Sequence, residues 1–269
     1  MELRKATEHD DLRSLWALCF PEDDGARYFE REYRPCDALI YEDGGTVRAM
    51  LHILPRSLRL FGKSVPAGYI FAVGTHPENR GQGLAGDLVE QALFELHLRG
   101  VPLAMLLPCS EGVQALYRKY GFVRVGHRVL LETVHDGRPA TEKDIPALSA
   151  LYDAAYPCRA ERTAGDWAEI LFEYDVKIYG GGYRVYDGRG VLEQIPEPPE
   201  APPHPLAAML KVSDKRPLYA LAEGAGLELS RCGPSAYCPW DNGSAVYGAP
   251  PPEGIFFENR MPYVNLLHN

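Results

Sequence analysis

Apolar and polar positions trace an alternating series of short strands and amphipathic helices. Glu2–Lys5 has the length and alternation of a short strand, and Thr7-Glu-His-Asp-Asp then reads as a helix start with Thr7 as N-cap. Leu12, Leu15, Trp16 and Cys19 follow at helical spacing, and a second helix is expected over Asp24–Tyr33. Strands are predicted at Ala38–Tyr41, Val47–Leu60 and Val65–Val73, the last two joined by the turn Phe61-Gly-Lys-Ser. The strongest helical pattern, Gly83–Arg99, places Leu84, Leu88, Ala92 and Leu96 on one stripe, with Val89 and Leu93 beside it, and Gly100 ends it. An apolar strand at Val101–Leu107, a helix over Glu111–Tyr120 stopped by Gly121, and closing strands at Phe122–Val125 and Val129–Thr133 complete the first half. This order predicts a mixed α/β sheet with helices on both faces.

A second start follows. Arg138-Pro-Ala-Thr-Glu-Lys-Asp repeats Arg4-Lys-Ala-Thr-Glu-His-Asp at an offset of 134, identical at five of seven positions. Both copies run into an amphipathic helix, Leu12–Cys19 and Ile145–Tyr152, and helix Gly165–Glu173 with strands Tyr183–Tyr186 and Val191–Ile195 continues the parallel. Good capping boxes explain the Thr and Glu but not the preceding Arg-x-Ala, so duplication of one fold is the expectation. It divides the chain into residues 1–135 and 136–269. A proline-rich loop at 196–205 lies inside the second part, favours extended chain and excludes a helix or central strand. The residues beyond it are few for a separate core and are expected to complete the second domain, ending in a strand over Gly254–Asn269.

Charge narrows the classes of partner. The first 128 residues carry 16 Lys+Arg against 17 Asp+Glu, and the remainder 12 against 20. No basic stripe runs along either half, which disfavours nucleic acid, while a cationic small molecule suits the acidic surface. Apolar runs break well short of the roughly 20 residues a membrane span needs. The charged start and the scattered six cysteines fit a reduced, cytoplasmic protein. His52 and His76 have no partner at metal-ligand spacing, and Cys232 and Cys238 have no second pair, so no metal is expected. Trp16, Trp167 and Trp240 read as core or rim.

The chemistry concentrates in Val73-Gly-Thr-His-Pro-Glu-Asn-Arg-Gly-Gln-Gly-Leu-Ala, where a strand ends, a glycine-rich turn follows and a helix begins. Gly81 and Gly83 allow close approach of backbone N–H groups to an anion, the helix start adds free donors and a positive dipole end, and Arg80 adds a formal charge. The segment is a pyrophosphate cradle. It lacks the Lys of a P-loop. Gly81, Gly83 and Gly86 match a dinucleotide fingerprint literally, but after the fourth predicted strand and without the ribose-binding acid, so an oxidoreductase is the weaker alternative.

Arg80–Ala85, as Arg-x-x-Gly-x-Ala, resembles the acetyl-coenzyme A loop of the GCN5-related N-acetyltransferases (the GNAT superfamily), and Leu116-Tyr-Arg-Lys-Tyr-Gly-Phe, ending at Phe122, resembles that family's Tyr helix. The resemblance covers Glu2 to about Thr133. It implies the acyl-CoA N-acyltransferase fold, acetyl-CoA as cosubstrate, and transfer of acetyl to a primary amine of a small-molecule or peptide acceptor. It also implies cofactor contacts from Phe71, Ala72, Val73, Arg80, Gly81, Gln82, Gly83, Leu84, Ala85, Ser110 and Tyr117, with the Val73 N–H on the thioester oxygen and Tyr117 on the leaving sulfur. Ser110 stands where the family often has Asn. Ser110-Glu111 ahead of the Tyr helix resembles the enhanced-intracellular-survival type, whose tandem domains bind coenzyme A only in the first. The second half here accordingly has no Arg-x-x-Gly-x-Ala, and is read as a degenerate copy without that type's third, sterol-carrier-like domain. In that type the C-terminal carboxylate enters the first domain's site, which would be that of Asn269.

No carboxylate lies in Tyr69-Ile-Phe-Ala-Val, so the sequence identifies no general base. Glu22, Asp23, Asp24, Glu30 and Glu32 crowd the segment that forms part of the acceptor site in the family, able to attract a cation or simply to form a solvated helix face. A coenzyme A-binding module without turnover is therefore the alternative to an enzyme. Homo-oligomerisation is left open.

Overall fold

The structure, a computed structural model, describes residues 1–60, 62–124, 131, 136–156, 159–187, 190–202, 206 and 208–212. In chain order the first half contains β1 (Glu2–Lys5), α1 (Leu12–Cys19), α2 (Ala26–Arg31), β2 (Ala38–Asp43), β3 (Thr46–Leu60), β4 (Lys63–Thr75), α3 (Leu84–Leu98), β5 (Leu103–Leu106), α4 (Glu111–Lys119) and β6 (Val123–Arg124). The second half contains β7 (Arg138–Pro139), α5 (Ile145–Ala155), β8 (Arg159–Ala160), α6 (Ala164–Glu173), β9 (Asp175–Tyr179), β10 (Gly182–Tyr186), β11 (Val191–Ile195) and β12 (Met209–Val212).

The large sheet runs β1-β2-β3-β4-β5-β12-β6, antiparallel except for the parallel β4–β5 pair. Alternation along its strands sends one set of side chains to each face. Leu12, Leu15 and Trp16 of α1 and Tyr28 of α2 cover one face with Ile40, Met50, Leu54 and Tyr69. Leu84, Leu88, Val89, Ala92 and Leu96 of α3, with Tyr117 of α4, cover the other with Leu51, Ile53, Ile70 and Leu106. The mixed sheet with helices on both faces is as the pattern predicts.

Two local expectations change. α1 begins at Leu12, capped by Asp11, whose carboxylate accepts the Ser14 N–H at 3.0 Å. Thr7 is not its cap: its N–H and hydroxyl donate to Asp10 at 2.7 and 2.8 Å, while Arg4 holds both oxygens of the same carboxylate at 2.6 and 2.8 Å. A bidentate charged pair outcompetes a helix cap for this carboxylate and fixes strand to helix instead. The repeat reproduces the clamp, with Arg138 on Asp144 at 2.6 and 3.0 Å and Thr141 N–H and hydroxyl on the same group at 2.9 and 3.0 Å. The second sheet, β7-β9-β10-β11, follows with α5 and α6 packed on it through Leu148, Tyr152, Trp167 and Ile170.

The second change concerns the residues after the proline stretch. Met209–Val212 does not join the second sheet. It lies between β5 and β6, with Met209 opposite Leu106 and Arg124, and Leu210 opposite Met105 and Val123. Leu210 and Val212 enter one core cluster and Met209 the other. β8 likewise crosses over, pairing Ala160 and Arg159 with Leu58 and Arg59 beyond the end of β2. The closing strand expected at Val129–Thr133, Cys158, Cys232, Cys238, Trp240, the final strand and Asn269 lie outside the described residues. Among the described residues no helix is long and apolar enough to cross a membrane.

Candidate functional site

The site begins where β4 and β5 part. Their parallel pairing covers only Ala67–Tyr69 against Leu103–Met105. Past Tyr69, the β4–β5 pairing does not continue among the described residues. On the β3 side the register slips between Met50 and His52, so Ala72 and Val73 together face Leu51. Ala72 takes a positive φ of 47°, costly for a residue with a Cβ, which marks a bulge held by its surroundings. The extra residue changes the side-chain parity. Phe71 and Ala72 pack toward the α1 face and Val73 toward the α3 face.

Beyond the strand, Pro77–Asn79 forms a short 3-10 turn and Gly81 and Gly83 take φ of 79° and 85°. Gly83 occupies the N-cap of α3 without a side-chain cap, and a Cβ at Gly81 or Gly83 would meet no atom within 4 Å. Five successive N–H groups, Gly81 through Ala85, have no acceptor among the described residues. They open on solvent beside Arg80, whose Nε donates to the Thr75 carbonyl at 3.3 Å. An uncapped helix N-terminus with a flanking guanidinium fits a pyrophosphate. Gly86, the third glycine of the nucleotide-like spacing, has a packing role: a Cβ there would lie 1.8 Å from the Tyr120 hydroxyl.

Across the gap, Tyr117 of α4 is buried on the α3 face, its ring 5.9 Å from that of Phe122. Burial, with Cys109 nearby, pushes its phenol well above the ordinary range, so it remains a hydrogen donor at any working pH. Ser110 caps α4, its Oγ accepting the Val113 N–H at 3.2 Å. Its hydroxyl hydrogen stays available as a donor. Of the predicted cofactor residues, Leu84 and Tyr117 share one core cluster with Val73 packed against it, whereas Phe71 and Ala72 pack on the other face of the sheet.

The Phe71 ring lines a cavity that the sequence does not disclose. Trp16, Tyr28, Leu54 and Phe71 wall it, Asp23, Asp24, Glu32 and Glu173 supply carboxylates, and Arg27 is the single basic lining residue. The Trp16 and Tyr28 rings stack at 5.5 Å, and Phe71 meets both at 5.7 and 5.2 Å. Asp23 and Asp24, both exposed at its rim, accept the Gly25 and Ala26 N–H groups at 2.8 and 2.9 Å, whereas Glu32 is tied to Arg56 at 2.7 Å. Glu22 and Glu30 do not line it. Beneath, His52 is fully buried, with Nδ1 2.7 Å from the Tyr28 hydroxyl and Nε2 unpartnered. Burial lowers its pKa to about 3, so it is neutral and a weak base at neutral pH. Nothing local marks these residues as neighbours, because they come from α1, α2, β3, β4 and α6; only the acids in Glu22–Glu32 carried a signal. No group of three or more His, Cys, Asp or Glu able to hold a metal occurs among the described residues.

Residues 2–125 match the model of the acetyltransferase (GNAT) domain. No curated protein matches the chain. Among solved structures it is similar to a GCN5-related N-acetyltransferase from Kribbella flavida, at 20% identity over 79% of this chain and 72% of that one, with a TM-score of 0.58. A GCN5-related N-acetyltransferase from Anabaena variabilis is similar at 18% identity over 79% and 73%, with a TM-score of 0.56. Eis1 from Mycobacterium abscessus is similar at 17% identity, covering 69% of this chain and 53% of that one, with a TM-score of 0.51. The fold is that of the GNAT acyl-CoA N-acyltransferases.

Proposed function

We propose that the chain is an acetyl-CoA-dependent N-acetyltransferase acting on a primary amine of a cationic small-molecule or peptide acceptor. The observation that carries this reading is the unbroken run of N–H groups from Gly81 to Ala85 that have no acceptor among the described residues, on the same chain segment as the bulge at Ala72. Acetyl-CoA would supply an acetyl group already activated as a thioester. Arg80 and the N–H groups of Gly81, Gln82, Gly83, Leu84 and Ala85 would bind its pyrophosphate. The bulged backbone of Phe71, Ala72 and Val73, with the Ser110 hydroxyl, would align its pantetheine arm. The N–H of Val73 would donate to the acetyl oxygen, where a hydrogen bond gains strength as negative charge develops.

Tyr117 would serve the departing sulfur. A thiol near pKa 8.5 is already more acidic than a phenol near 10, and burial widens that gap. Full proton transfer from Tyr117 is therefore uphill, and its work is a hydrogen bond that strengthens as the thiolate forms. The acceptor amine, with a pKa of about 10.4, loses its proton at pH 7 at a cost of roughly 4–5 kcal/mol. His52 is too weak a base to drive this. Asp23 and Asp24 attract the ammonium, whose proton leaves to water, while the Trp16, Tyr28 and Phe71 rings favour a cation over their faces. The second half, with its repeated arginine–aspartate clamp, is a degenerate copy of the first, as in the tandem enhanced-intracellular-survival type.

The test is release of free thiol from acetyl-CoA in the presence of primary amines, with wild type and Tyr117→Phe. The variant should lose at least tenfold in kcat and keep its acetyl-CoA affinity and melting temperature, since general-acid assistance contributes about 10²–10⁴-fold. A stable variant with wild-type kcat removes Tyr117 from the mechanism, whereas a wild type that binds acetyl-CoA and releases no thiol with any amine favours a coenzyme A-binding module without turnover. That reading rests on the lack of any carboxylate in β4.

A further inference from the structure

The second half lacks the cofactor loop, yet its helix α6 reaches the acceptor cavity of the first. Glu173, the last residue of α6, lines that cavity beside Arg27 of α2. Along α6, Glu169, Phe172 and Glu173 share one face at i, i+3 and i+4, and along α2, Arg27 and Arg31 share a face at i and i+4. The two faces meet. Arg27 Nη1 donates to Glu173 at 2.6 Å, and its Nη2 donates to the Glu169 carboxylate and to the Glu169 carbonyl, the latter at 3.1 Å. Arg31 donates to the other oxygen of the Glu169 carboxylate. Both guanidinium groups lie 5.3 Å from the Phe172 ring centroid, which explains a phenylalanine left 73% exposed.

This arrangement decides the charge of the cavity. Arg27 is its single basic lining residue. Free to swing inward, its guanidinium would repel an ammonium and occupy Asp23 or Asp24. Engaged by two carboxylates and an aromatic face at the cavity wall, it leaves those two acids to the acceptor. We propose that α6 of the second half is a specificity element for the first: Glu169 and Glu173 restrain Arg27, and the cavity thereby prefers acceptors with a second cationic group beyond the reacting amine. This rests on the acetyltransferase reading above and assigns the degenerate copy a role in the same site.

Two amines of equal length separate the contributions: 1,5-diaminopentane and 1-aminopentane, each assayed with the full-length chain and saturating acetyl-CoA. The measured quantity is the ratio of kcat/KM for the diamine over that for the monoamine. Wild type should favour the diamine by at least tenfold. Glu169→Gln/Glu173→Gln should lower the ratio at least fivefold, and adding Arg27→Gln should restore it to within twofold, because the released guanidinium is then gone. Arg27→Gln alone, which keeps every carboxylate, should not lower the ratio. Equal losses for both amines, or no recovery in the triple variant, would show that the α2–α6 pairing only holds the halves together and would overturn the proposal. So would a wild type indifferent to the second amine. If wild type binds acetyl-CoA but turns over neither amine, the acetyl-transfer reading itself falls, and this proposal with it.

Discussion

Ending the chain at residue 135 removes the strand that the first sheet borrows from the far end of the described chain. Among the described residues, β12 separates β5 from β6 and is the only sheet partner of β6. Met209 and Leu210 are fully buried and Val212 nearly so. Burying each such side chain stabilises by about 1.5–3 kcal/mol, so the three together contribute about 5–9 kcal/mol, an upper estimate because unfolded chains already bury some of this surface. A domain's whole stability is about 5–15 kcal/mol. Fragment 1–135 should therefore be largely unfolded or aggregated at 25 °C, with the exposed edge of β5 promoting association. In the full chain, Leu210→Ala should cost about 2–5 kcal/mol. It should also weaken acetyl-CoA binding, because α4 and Tyr117 run directly into β6. Urea denaturation followed by near-UV circular dichroism gives the stability, and titration calorimetry gives the affinity. A monomeric fragment 1–135 that unfolds cooperatively and binds acetyl-CoA as tightly as the full chain would refute this account of β12.

Arg80→Ala should raise the KM for acetyl-CoA at least tenfold, since a charge-assisted bond to phosphate contributes about 1.5–3 kcal/mol; an unchanged KM would reduce the loop to a turn. His52 binds its proton only below about pH 3 when folded but near 6.5 when unfolded, so the unfolded state takes up the extra proton first. Its contribution to stability is present above pH 6.5 and is lost as the pH falls toward 3, with a slope approaching about 1.4 kcal/mol per pH unit. His52→Gln should flatten the urea midpoint against pH over that window, and a profile as steep as wild type would count against the assignment. Gly86→Ala should lower the melting temperature, and pairing it with Tyr120→Ala should recover much of the loss, because the clash is with the Tyr120 hydroxyl; an affinity for acetyl-CoA that falls with Gly86→Ala and stays low in the double variant would instead give Gly86 a direct part in the cofactor site.

Local chemistry carried a large share of this protein into its sequence. Helical spacing located α3 and α4 to within a residue or two, because a buried stripe and a terminal glycine are both local signals. The glycine–arginine loop was legible for the same reason: uncapped N–H groups at a helix start depend only on adjacent residues. The repeated Arg-x-Ala-Thr segment was legible as a repeat, but not as a clamp, since whether Thr7 caps a helix or binds Asp10 depends on where Arg4 is held by the sheet. Pairing between distant strands leaves no such trace. Met209–Val212 could complete any open edge, and its place is set by the vacancy between β5 and β6 and by core on both faces ready to bury Met209 and Leu210. The side of the sheet to which Phe71 points was equally beyond the sequence. A period-two reading assumes an unbroken strand, and the bulge at Ala72 shifts the parity between Phe71, which lines the cavity, and Val73, which packs on the α3 face.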